Sequence, residues 1–132
     1  MTKPIVQTVT FRASPAELYE LYMDSRKHSA ATGAPAKLSR KAGGRFTAHG
    51  PALRGRNLLL IPGRMIVQAW RSTMFKKTDA DSILVLTFSK AAGGGRVDLV
   101  HANVPIQDHE GVRKGWPRYY WKPWKSYLAK AR

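Results

Sequence analysis

Between Trp116 and Leu128 the chain places Trp116, Tyr119, Tyr120, Trp121, Trp124, Tyr127 and Leu128 at helical spacing. On a wheel turned by about 100° per residue these side chains fill an arc of roughly 200°. Lys114, Arg118, Lys122, Lys125 and Arg132 fall within roughly 80° on the other side. An aromatic face that wide cannot be buried against one flat neighbour. It requires an element that encloses the helix on more than one side, such as a curved sheet. Pro123 lies inside the segment and should kink it. Pro117 marks a first turn, so Asp108–Lys114 reads as a separate helical turn.

The rest of the chain supplies that sheet. Ile5–Phe11 is rich in β-branched residues and reads as a strand. Ser14-Pro15-Ala16-Glu17 has the form of a capping box with proline at the first helical position. Leu18, Leu21 and Tyr22 give that short helix its buried face. Asp24 suits the N-cap of a second short helix, and Gly33 its end. A meander follows. Ala36–Ser39 and Arg45–His49 flank Gly43-Gly44, Leu58–Ile61 and Met65–Trp70 flank Pro62-Gly63, and Ile83–Phe88 and Arg96–Val104 flank Gly93–Gly95. Connections this short force antiparallel pairing. Strand, two short helices, meander and aromatic helix make an α+β chain. At 132 residues it is expected to form a single domain, residues 1–132.

Composition narrows the chemistry. There is no cysteine, so disulfide scaffolds, thiolate zinc sites and cysteine nucleophiles are all excluded. The N-terminus lacks the apolar run of a signal peptide, and no stretch reaches the roughly 18 apolar residues of a membrane span. A cytoplasmic protein is expected, not membrane-spanning. Twenty-three Lys and Arg against eight Asp and Glu give a formal charge of +15. Such an excess raises the on-rate toward anionic partners. The cations are scattered singly and in pairs, and on the wheel they separate from the aromatics instead of interleaving with them. Neither pattern suits dedicated nucleic-acid binding.

No catalytic constellation emerges. His28 follows Asp24 by one helical turn, a spacing open to a proton relay or to an exposed pair. His49 and His109 sit at element edges and are expected to be solvated. No histidine stands at metal-ligand spacing from another, so no metal is expected. Gly-x-Ser-x-Gly is absent, and neither glycine cluster has the spacing of a phosphate loop. No cofactor is expected. His101 lies in phase with Val97 and Leu99, on whichever face those residues occupy. The phase of Met65–Trp70 stays open, because both of its faces are apolar.

Several segments resemble the activator of heat-shock-protein-90 ATPase homologue family of the START-like superfamily. They are Asp24–Gly33, Gly43-Gly44-Arg45-Phe46, Gly55–Leu58, Ile66–Arg71, Leu99–Pro105, and Gly115-Trp116 through Tyr119–Pro123 to Leu128. Ser72-Thr73-Met74-Phe75 stands where many members carry a tryptophan-proline pair. The resemblance implies a helix-grip fold, a six-stranded antiparallel sheet around the C-terminal helix, often over an apolar cavity. Within such a cavity Trp70, His101, Trp116, Tyr119, Tyr120 and Trp124 are the candidate ligand contacts, with His101, Gln68 or a tyrosine hydroxyl as polar anchors. The expected function is non-catalytic binding of a small apolar or amphipathic molecule, with an anionic one favoured by the exterior charge. The alternative is a chaperone-related interaction module facing an acidic protein partner. A cyclase or hydrolase of the wider superfamily ranks below both.

Overall fold

A computed structural model describes residues 1–131. The first strand, β1 (Thr2–Phe11), leads into α1 (Pro15–Met23) and α2 (Ser25–Thr32). The Ser14 capping box closes as its spacing requires. Glu17 N–H donates to Ser14 Oγ at 3.1 Å, and Ser14 N–H donates to the Glu17 carboxylate at 3.2 Å. Asp24 caps α2 by accepting from the Lys27 amide at 3.0 Å. Gly33 ends α2 at φ 80°, a conformation that only glycine adopts without cost.

The meander forms β2 (Ala36–Leu38), β3 (Arg45–Ala48), β4 (Leu53–Ile61), β5 (Met65–Ser72), β6 (Ser82–Ala91) and β7 (Gly94–Pro105). The sheet order is β1-β7-β6-β5-β4-β3-β2, antiparallel throughout. The sheet has seven strands, not six, because the three residues of β2 pair along β3 and extend the edge. The fourth strand also begins at Leu53, five residues before the apolar run Leu58–Ile61. Arg54-Gly55-Arg56-Asn57 lacks an apolar face, so its extended conformation shows only in its pairing with β3 and β5. Gly55 is needed there, since a Cβ would collide with the Ala69 carbonyl oxygen and the Phe46 ring.

The C-terminal segment runs helically from His109 to Lys130, with a π-helical turn (Pro117–Trp121) set between α3 (His109–Trp116) and α4 (Lys122–Lys130). The turn is closed by Lys122 N–H to the Pro117 carbonyl, one residue wider than an α-turn. Pro123, which has no N–H to donate, falls two residues after the π turn, in the first turn of α4. The irregularity therefore lies upstream of Pro123. Arg132, which the wheel places on the basic side, lies outside the described residues.

The core is the inner face of the sheet packed against α1 and the aromatic side of the C-terminal pieces. Trp116, Tyr120, Trp121, Trp124 and Leu128 are buried, as the wheel requires. Tyr119 is 48% exposed. It stood at one limit of the predicted arc, and the wider π turn carries it out of the core.

Candidate functional site

Two buried histidines tie the elements together, His28 joining α2 to α1 and to the C-terminal segment, and His101 joining the sheet to α3. His28 Nδ1 lies 2.7 Å from the Tyr22 carbonyl, which can only accept, so Nδ1 carries the proton. The bare Nε2 then accepts from the Tyr120 hydroxyl at 3.0 Å. His101 is wired in the opposite tautomer. Ser82 Oγ spends its one proton on the Trp70 carbonyl at 2.7 Å, so His101 Nε2–H donates to Ser82 at 2.8 Å. His101 Nδ1 accepts from Trp116 Nε1–H at 3.1 Å. Burial depresses both groups, His28 to about 4 and His101 to about 3. A protonated His101 would also turn Nδ1–H toward the indole N–H, donor against donor.

A third chain joins Tyr22, Gln68 and Asn57. The Tyr22 hydroxyl donates to Gln68 Oε1 at 2.8 Å, and Gln68 Nε2 donates to Asn57 Oδ1 at 2.9 Å. Asn57 Nδ2 ends the chain on the carbonyls of Ser39 and Lys41. Both ring nitrogens of His28 and of His101, and both amide atoms of Gln68, thus have protein partners. The i, i+4 pair of Asp24 and His28 does not form, because Asp24 turns to its cap and His28 turns inward.

A pocket of about 680 Å³ opens at one end of the sheet. Leu53 and Trp70 line it from β4 and β5, Met74 from the turn after β5, and Val112, Trp116, Tyr119 and Tyr120 from the C-terminal segment. Its rim is exposed at Tyr119 and, at 76%, Met74. His49 lies in the wall, half-buried against the rings of Tyr119 and Tyr120 at 5.5 and 5.3 Å, and burial lowers its pKa. It adopts φ 54°, the left-handed region that a non-glycine residue enters only at a cost.

Four buried side-chain polar atoms among the described residues lack a hydrogen-bond partner: His49 Nε2, Trp70 Nε1, Asp108 Oδ2 and Trp124 Nε1. The first three belong to residues that line this pocket. Buried polar groups are otherwise almost always paired. A second groove of about 750 Å³, between β1 and α4 and lined in part by Arg12, Lys125 and Leu128, carries none of them.

Of the six candidate contacts, the structure brings Trp70, Trp116, Tyr119 and Tyr120 together around the pocket. His101 lies behind the wall, edge-on to Trp70 at 4.5 Å. Trp124 is packed against Phe11, Tyr120 and Trp121, away from the pocket. His49 was expected to be solvated. Its burial comes from Tyr119 and Tyr120, seventy residues along the chain, and its own neighbours gave no sign of it. Asp108 stands at the start of the expected helical turn but makes no side-chain cap to it. His109 is bonded rather than merely solvated, with Nε2 at 3.0 Å from the Pro4 carbonyl. Among the described residues no group of three or more His, Cys, Asp or Glu could hold a metal ion, and no helix is long and apolar enough to cross a membrane.

The family model described as "Activator of Hsp90 ATPase homolog 1-like protein" matches residues 12–129. The chain belongs to this family. Two relatives are similar to it over most of its length. The activator of 90 kDa heat shock protein ATPase homolog of Dictyostelium discoideum is 30% identical over 118 residues, covering 89% of this chain and 30% of that protein. The human activator of 90 kDa heat shock protein ATPase homolog 1 is 32% identical over 113 residues, 86% of this chain and 33% of that protein. The chain thus spans about a third of these curated relatives. Its fold is similar to the crystal structure of an HSP90 activator from Plasmodium falciparum, with TM-score 0.82, 19% identity, and 98% and 96% of the two chains covered.

Proposed function

We propose that this family member is a non-catalytic binding domain that takes a small apolar or amphipathic molecule into the pocket between the sheet and the C-terminal segment. The reading is carried by a largely apolar pocket whose lining residues Trp70, His49 and Asp108 each hold a buried polar atom without a protein partner. Ligand sites commonly combine apolar walls with a few convergent polar groups. Trp70 Nε1–H lacks an acceptor and Asp108 Oδ2 a donor, and because both atoms lie just beneath the surface, a ligand hydroxyl bonds either one once a neighbouring side chain gives way. Arg118 lies 5.3 Å from the Tyr119 ring at the rim, suited to an anionic end left outside. The absence of catalysis is supported by His28 and His101, whose ring nitrogens are all committed to protein partners.

The test is native mass spectrometry of freshly purified protein, followed by titration with decanoic acid and with decanol while tryptophan emission is monitored. A mass that leaves on unfolding, or saturable binding that Trp70→Phe weakens about tenfold, is the expected result. A clean apo mass with no saturable change for either probe would overturn it.

A second reading is a chaperone-facing interaction module. It is supported by the names of the relatives and by the charge of +15, which favours an acidic partner.

A further inference from the structure

The outer face of the sheet carries an unbroken apolar row. Val6 stands opposite Val100, Val100 opposite Val85, Val85 opposite Val67, and Val67 opposite Leu59. Five strands thus contribute one apolar side chain each to a line about 19 Å long, at about 4.8 Å per strand. Val6, Val100 and Leu59 are 71%, 39% and 45% exposed, and Val67 and Val85 are half-buried. The four valines alternate with inner-face residues, so they follow from the register that builds the core, and Leu59 joins them just past the register shift at Leu58.

One corner of this face is cationic. Arg45 stands opposite Arg56, and Arg54 opposite Arg71. Like charges across a strand pair repel. Arg71 is relieved by Asp81 at 2.9 Å, whereas Arg45, Arg54 and Arg56 take part in no ion pair among the described residues. The opposite end of the face holds Asp98, which is already engaged by Arg96 and Thr8. The field is therefore asymmetric, apolar along the row and positive at the β3–β4 end.

We propose that this outer face is a protein-docking surface, fitted to a partner that presents an apolar strip with carboxylates grouped at one end. The proposal rests on the second reading above and assigns it a surface. A protein fits better than a bilayer. Sites that lie on membranes are anchored by exposed aromatic rings, and the aromatic residues of these strands (Phe11, Phe46, Trp70 and Phe88) are buried. A second copy of this chain fits poorly, since its net charge is also +15.

The test uses the full chain and the purified Hsp90-family chaperone of its own host, with hydrogen exchange read on the mixture. Protection is expected in β4 to β7. Val67→Glu and Arg56→Glu should each weaken binding about tenfold, and Arg56→Glu should also flatten its salt dependence. Arg56 is exposed, so that variant keeps the melting temperature of the parent even where a carboxylate at position 67 disturbs the sheet. Protection confined to the pocket rim or the basic side of α4, with both variants neutral, would overturn the outer-face assignment and leave the second reading standing. No binding to the chaperone would overturn both. Binding to phosphatidylserine vesicles through Val67 and Arg56, without chaperone binding, would overturn the protein-docking assignment in favour of a membrane.

Discussion

The interior of the sheet and its open end use the same residue types in opposite ways. Inside, His28, His101, Gln68, Asn57 and Ser82 are fully buried and each has its partners. At the open end His49, Trp70 and Asp108 carry buried atoms with none. A buried polar group with partners specifies how elements meet. One without partners costs stability, about 1 to 3 kcal/mol, unless something else supplies the bond. The difference separates scaffold from candidate site more sharply than residue type does. Trp124 is the exception, for its Nε1 is unpartnered among the rings of Phe11, Tyr120 and Trp121, and nothing in the structure explains it.

The comparison breaks first under acid. The folded pKa values of His28 and His101, about 4 and about 3, lie below the ordinary 6.5. Between these values the unfolded chain takes up protons that the folded chain refuses. The stability these neutral histidines confer is present in full above about pH 6.5 and is lost as pH falls toward 4. Each contributes a slope of roughly 1.4 kcal/mol per pH unit, so up to about 5 kcal/mol is expected to disappear over two units. Urea melts between pH 7 and pH 4.5 check this, and a flat profile would mean that the interior tolerates charge.

His28→Leu attacks the same wiring at neutral pH. It strands the Tyr120 hydroxyl and the Tyr22 carbonyl together, at an expected cost of about 3 kcal/mol in a denaturant titration. The smallest effect is expected at the open end. His49→Asn keeps a residue that tolerates positive φ and should change stability by less than about 0.5 kcal/mol. The same change should weaken decanoic acid binding about fivefold. If it destabilised the fold as much as His28→Leu, the distinction between the two regions would fail.

Much of the scaffold was legible because its signals are local. Ser14 with Glu17, Asp24 before α2 and Gly33 after it are short-range hydrogen bonds and backbone preferences written within a few residues. The aromatic arc was legible because helical periodicity is local too. Tyr119 escaped it because a π turn changes that period, and a wheel drawn at fixed pitch has no means of registering one. The Tyr22–Gln68–Asn57 chain joins residues up to 46 positions apart, so no spacing rule reaches it. His49 and Asp108 were hidden for the same reason: His49 is buried by helical residues far along the chain, and Asp108 has the ordinary look of a helix start. The outer apolar row was hidden by ambiguity. With both faces of β5 and β6 apolar, only the pairing register separates Val67 and Val85 from Ile66 and Leu86.

The π turn also has a geometric result. One extra residue in a helix rotates everything beyond it by about 100° relative to what precedes it. Trp116 and Trp124, eight residues apart, would stand about 80° apart on a plain α-helix; with the extra residue both face the sheet, Trp116 at the Trp70 end and Trp124 farther along at Phe11. The segment acts as a gear tooth between two halves of one screw. Its length matters more than its composition: removing one residue between Pro117 and Trp121 would leave every aromatic side chain beyond it present and aimed at the wrong part of the sheet.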